Sequence, residues 1–223
     1  MPDTKLNWAN IREHIRKHLA VYAVVTAVAL VVMSLLWTVT APRVPDEQAV
    51  LIYLAGPYSN PALLDDVTAD LLTRGRQYDP TLQSVELQGL LFTDPSDNYT
   101  SAMLLMTRLA TGEGDAFLAD PNAMDALAQT GACLPLDDYV ARGWLSEYGL
   151  EPRYDALTDP DTGETVTRLT GLRIDKLTAL LDREVFDNRG ACLAVAANGT
   201  NIETTMKVLE YLVEDLAKAG AAK

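Results

Sequence analysis

Cysteine and histidine are scarce in this sequence, and basic residues are outnumbered. Two cysteines in 223 residues cannot make a disulfide-dense scaffold. Both histidines, His14 and His18, fall near the start, which leaves the rest of the chain without the commonest general base. Lysine and arginine number 18 against 31 aspartate and glutamate, a net charge of −13. Phosphate binding needs clustered Lys and Arg, so a nucleic-acid surface is excluded. Gly-x-Ser-x-Gly, a phosphate loop and a metal-spaced His/Cys set are all missing, so no cofactor or metal is expected. Carboxylates are abundant and leave an envelope hydrolase formally open, yet no pair stands out. A protein that is not an enzyme is the expectation. At 22% charged and 48% hydrophobic residues, the chain suits one folded domain with an accessory segment rather than a disordered acidic tail.

Charge is also missing from one long stretch. Between His18 and Pro42, Leu19 to Ala41 carries no charged residue and is mostly Val, Ala and Leu. As a helix it would be about 35 Å long, enough for a hydrocarbon core of about 30 Å. A buried core helix of that length normally keeps a polar face, which Thr26 and Ser34 do not supply. A cleaved signal peptide has a shorter apolar region of about 7 to 15 residues, although Thr38-Val39-Thr40-Ala41 loosely matches its cleavage site. No cysteine lies near the end of the run for lipid attachment. The expected organisation is therefore a cytoplasmic segment 1–18, a retained transmembrane helix 19–41 in contact with the lipid bilayer, and an extracytoplasmic domain 42–223. Lys5, Arg12, Arg16 and Lys17 precede the span and Asp46 and Glu47 follow it, so the positive-inside rule puts the N-terminus in the cytoplasm and the protein in the plasma membrane. Trp8, Ile11, Ile15 and Leu19 recur at helical spacing, as in an amphipathic helix lying on the inner surface. The outer domain holds 14 basic and 29 acidic residues, net −15. Such acidity favours solubility beside an anionic membrane.

Within the outer domain, Ala49 to Leu54 reads as a strand buried on both faces. Asn60-Pro61 then supplies a cap and first turn for a helix over Leu63, Leu64, Val67, Leu71 and Leu72, stopped at Gly75. A second unit pairs a strand over Val85 to Phe92 with a helix capped by Ser96 or Asp97, running over Met103, Leu104, Met106 and Leu109 to Gly112. A third joins Ala116 to Ala119 with a helix from Pro121 to Gly131. Three strand-helix units predict an α/β fold with a mostly parallel, doubly wound sheet. Tyr154 to Leu157 and Thr165 to Leu169 read as a β-hairpin around Asp159-Pro160-Asp161-Thr162-Gly163-Glu164, whose oxygen ligands fall short of a calcium loop. A helix is expected over 175–183 and a strand over 191–197. Thr200 and Glu203 have capping-box spacing before a last helix that buries Met206, Leu209, Tyr211, Leu212, Val213 and Leu216 against the sheet.

Two segments carry a family resemblance. Gly114-Asp115-Ala116-Phe117-Leu118-Ala119-Asp120, then Leu134-Pro135-Leu136-Asp137-Asp138-Tyr139, resembles the extracellular solute-binding proteins of ABC importers. Leu193 to Ala197 and the helix containing Glu210-Tyr211-Leu212 are similar to the return strand and helix of the same lobe. The resemblance implies a periplasmic-binding-protein-like fold and a transport role. Those receptors close two lobes around a solute, whereas the roughly 50 residues between Tyr139 and Gly190 are too few for a second lobe of domain size. The expectation is one membrane-anchored lobe.

In an open α/β sheet, ligands sit beyond the carboxyl ends of the strands. That rule selects Tyr58 and Ser59 after the first strand, Asp94, Asn98 and Tyr99 after the second, and Asp120 after the third. Caps and turns would account for Asn, Asp and Ser there, but not for the two tyrosines. Cys133 and Cys192, both in Gly-Ala-Cys-Leu, are expected to pair outside the cell, and closing a loop of about 60 residues would stabilise by roughly 4 kcal/mol. Two buried apolar thiols are the alternative. The leading function is noncatalytic binding of a partner protein or small solute. A structural or assembly subunit of a membrane complex, without a pocket, is the alternative.

Overall fold

The computed structural model describes residues 8–40, 44–92, 99–158 and 165–221. The chain divides into two compact units, Met1–Arg43 and Val44–Lys223. The first holds α1 (Trp8–Lys17) and α2 (Leu19–Thr40). Within α2, Leu19–Trp37 is long and apolar enough to cross a membrane, and no part of it is buried inside the protein.

The second unit is a six-stranded α/β sheet. In chain order it comprises β1 (Ala49–Gly56), a 3-10 turn (Pro61–Leu64), α3 (Asp65–Tyr78), β2 (Ser84–Leu91), α4 (Tyr99–Ala110), β3 (Ala116–Ala119) and α5 (Pro121–Gln129). There follow α6 (Asp137–Ala141), β4 (Glu151–Thr158), β5 (Thr165–Arg173), α7 (Ala179–Asp182), β6 (Cys192–Val195) and α8 (Ile202–Ala221). The strand order is β2-β1-β3-β6-β5-β4. β1 pairs in parallel with both β2 and β3, as three successive strand-helix units require. β6 enters antiparallel to β3, β5 antiparallel to β6, and β4 antiparallel to β5, so four of the six strands share one direction.

The alternation of side chains explains the layers. Val50, Ile52 and Leu54 of β1, Leu118 of β3 and Leu193 and Val195 of β6 join one core with Leu71 of α3 and Leu209, Leu212 and Leu216 of α8. Tyr53 and Ala55, Phe117 and Ala119, and Cys192 and Ala194 join a second core with Leu105 of α4 and Met124 and Leu127 of α5. Strands apolar on both faces need helices on both faces, which makes the sheet doubly wound.

Several boundaries depart from the sequence reading. The Asn60 side chain makes no capping hydrogen bond, and Pro61–Leu64 is a 3-10 turn ahead of α3. Gly75 does not stop α3, which continues to Tyr78. A Cβ there would lie 2.6 Å from Leu82 Cδ2, so this glycine admits a close neighbour instead. Among the described side chains of α4, Leu105 is buried, while Met103 and Leu104 are 54% and 43% exposed; those of Met106 and Leu109 lie outside the description. The helix expected over 175–183 shrinks to Ala179–Asp182, and α8 starts at Ile202, one position later than the Thr200 box requires. The hairpin is present and longer than expected, with its 159–164 tip outside the described residues, as are the Ser96 and Asp97 caps.

Gly114, one residue ahead of Asp115 at the entry to β3, has φ +96°, and a Cβ there would lie 2.6 Å from the Tyr53 ring. Both the backbone and the ring contact demand glycine. Gly114→Ala is expected to lower unfolding free energy by about 2–4 kcal/mol in urea titration.

Candidate functional site

The carboxyl ends of β1 and β3 mark the point where the strand order reverses, the usual ligand crevice of such a sheet. Here the chain fills it. Phe186, 1% exposed, forms an isolated antiparallel bridge with Ser59. A Cβ on Gly56 would meet its Cε2 atom at 2.8 Å. The Asn60 amide donates to the Val185 carbonyl at 2.7 Å. Buried Asn188 donates from Nδ2 to the carbonyls of Ile174 and Leu177 at 2.7 and 3.1 Å. Gly190, with φ +72°, lies against the Pro121 ring at the start of α5. The segment 185–190 thus roofs the crevice between β1 and α5.

The residues expected to face a ligand lie in different settings. Asp120 is buried and caps α5, its Oδ1 accepting from the Ala123 amide at 2.7 Å. Burial raises its pKa, against the two backbone hydrogen bonds that favour the carboxylate. Ser59 is half-buried against Gly89. Tyr58 is 51% exposed beside the roofed crevice. Tyr99 is the first residue of α4, and Asp94 and Asn98 lie outside the described residues. The expected Cys133–Cys192 bridge is not formed: both are free thiols, buried in the second core. Burial pushes the Cys133 thiol up to about 12 and raises that of Cys192, so neither is a ready nucleophile. Among the described residues, no group of three or more His, Cys, Asp or Glu could hold a metal ion.

The segments carrying the sequence resemblance are structural stitches. The Asp115 amide donates to the Leu51 carbonyl, its Oδ2 accepts from the Leu51 amide, both at 2.8 Å, and its carbonyl accepts from Ala196 at 2.9 Å. One residue thereby ties β1, β3 and the end of β6. Burial raises the Asp115 pKa, opposed by the Leu51 amide. In the second segment, the Leu134 amide donates to Val195 and the Leu136 amide to Leu169, at 2.8 and 2.7 Å, while Asp137 Oδ2 accepts from the Leu169 amide at 3.2 Å.

An open site lies elsewhere, beside α8. A groove of about 830 Å³ runs between the 143–148 turn and the outer side of α8, lined by Leu145, Tyr148, Tyr211, Glu210 and Glu214 among others. It adjoins a second hollow of about 310 Å³ that shares Gly143, Lys207 and Glu210 and adds Tyr78, Tyr139 and Trp144. The Trp144 indole donates to the Met206 carbonyl at 3.3 Å, which fixes the floor to α8. Arg74 of α3 stacks 4.1 Å from the Tyr211 ring centre and pairs with Glu214 and with Asp215, the latter at 2.9 Å. Lys207 pairs with Glu210, and Lys218 with Glu214. Burial, a hydrogen bond with Glu147 and the charges of Glu147, Glu214 and Glu210 push the Tyr148 phenol up to about 12. Tyr211, expected on the buried side of the last helix, is half-buried at the groove. The available signal was the scatter of Tyr and Trp outside the apolar runs, at 78, 139, 144 and 148.

No family model matches the chain, and neither does any curated protein. Among solved structures, the chain is similar to CpMnBP1 with mannotriose bound, at 21% identity and a TM-score of 0.28, over 56% of this chain. The chain spans 28% of that structure's length.

Phe186→Ala is expected to lower unfolding free energy by about 3–5 kcal/mol, the usual cost of emptying an aromatic core position, read by urea titration. Asp115 gives a pH signature. Its folded pKa is raised, so its stabilising contribution is full below the ordinary aspartate range and is lost as pH climbs through the raised value. Asp115→Asn removes that titration. Thermal unfolding should therefore find the variant gaining on wild type from about pH 4 towards pH 7; a constant difference would contradict the assignment.

Proposed function

We propose that the chain is a single-pass plasma-membrane protein whose extracytoplasmic α/β domain is a noncatalytic interaction module, engaging a protein of a membrane complex through the α8 groove. The observation that carries the reading is the contrast between two places. Phe186 fills the crevice where such a sheet would take a small solute, while the α8 groove is open and concentrates aromatic side chains. Tyr, Trp and Arg are the residues that dominate the energetics of protein interfaces. The apolar helix Leu19–Trp37, preceded by basic residues and followed by an acidic domain, supports the anchor and its orientation. The resemblance around Gly114 and Leu134 supports descent from a single lobe of the importer-type solute-binding proteins.

Capture of a small solute in the same groove is the second reading. It is favoured by the volume, which falls in the range of about 300–1,000 Å³ found for small-molecule sites.

The two readings separate in one experiment. A photo-crosslinker at Ser146 or Lys207 in the full chain should yield a discrete protein adduct that Tyr148→Ala diminishes, whereas one at Asp66 on α3 should not. A thermal shift on adding small solutes, with no adduct at either groove position, would favour solute capture. A chain truncated to begin at Asp46 should leave the membrane fraction, and its retention there would contradict the anchor.

A further inference from the structure

The short helix ahead of α2 has chemistry of its own. α1 has ten residues, no acid in its first turn and His14, Arg16 and Lys17 in its last. A helix this short is marginal in water. On a helical period Trp8, Ile11 and Ile15 share one arc, Arg12 and Arg16 fall on one shoulder of it, and His14 and His18 on the other. Residues 12 to 18 are all exposed.

Glu13 is the single acid between Thr4 and Pro45. It pairs with Lys17 at 3.0 Å, but the two side chains are 65% and 69% exposed, so the pair is weak and the segment stays net positive. α1 is also joined closely to the apolar helix. The His18 amide donates to His14 and the Tyr22 amide to His18, both at 3.0 Å, so backbone bonds continue across the junction.

We infer that α1 is a contact for anionic phospholipid, with Arg12, Arg16 and Lys17 on phosphate-bearing headgroups of the leaflet where α2 begins. The inference rests on α2 spanning the membrane. Arg12 and Arg16 on the shoulder of the apolar arc can reach the headgroups while the arc meets the acyl boundary, and Lys17, opposite the arc but two residues before α2, can reach them along its long stem. Each basic residue near an anionic surface strengthens adsorption about fivefold, so a net gain of two charges should be worth on the order of 30-fold.

The test uses the full chain in nanodiscs of phosphatidylcholine alone or with about 30% phosphatidylglycerol, reading amide hydrogen exchange over residues 12–17. Protection is expected to rise by tenfold or more in the anionic discs. The gain should vanish in R12Q/R16Q/K17Q and at about 0.5 M salt, where surface charges are screened. Equal protection in the two discs, or a gain that survives the triple substitution, would overturn the inference. Inorganic phosphate reproducing the gain in phosphatidylcholine discs would assign the cations to free phosphate and overturn the lipid contact. Elution with the discs reports separately on α2, and a chain eluting free of both overturns the anchor and this inference together.

Discussion

The Phe186 ring lies on the bare Cα of Gly56, and that contact closes the strand-end crevice of the α/β unit. An open sheet of this winding leaves a crevice where its strand order reverses, because the loops after β1 and β3 depart to opposite faces. Filling it with an aromatic ring from the same chain turns a binding feature into core. The segment that delivers the ring is held by Asn60, by three bonds of Asn188 and by the left-handed turn at Gly190. The aromatic groove beside α8 is a surface that the sheet's winding does not supply.

The segments that resemble importer receptors have physical reasons independent of any ligand. Gly114 is dictated by Tyr53, Asp115 bonds β1 and bridges to β6, and Leu134 to Asp137 form a strap bonded to the end of β6 and the middle of β5. Each of these contacts serves the sheet itself, with no ligand needed to account for it.

The strands were largely legible in the sequence. Continuous apolar runs marked β1, β3 and β6, and alternation bounded by turn residues marked β2 and the hairpin. Helix faces were less so: Met103, Leu104, Leu105 and Met106 are consecutive apolar residues, and spacing cannot say which one the sheet buries. Gly75 read as a stop because a helical glycine usually is one, while here a long-range neighbour, Leu82, accounts for it. The strand-end rule located the crevice but not what occupies it, since Val185 and Phe186 stand in a stretch otherwise charged and polar. The groove was illegible for a similar reason. Tyr78, Tyr139, Tyr148 and Tyr211 come from four separate segments, and only the packing of α3 and the 143–148 turn around α8 assembles them.

Tyr148 has a consequence for how the groove would respond to its surroundings. A phenol held near 12 keeps its proton under all ordinary conditions. It is a permanent donor set among glutamates, and the groove holds no histidine. Any ligand hydrogen-bonded to that phenol would meet the same donor from mildly acidic to mildly alkaline pH, so that acidification of the medium would not act on Tyr148 as a release signal.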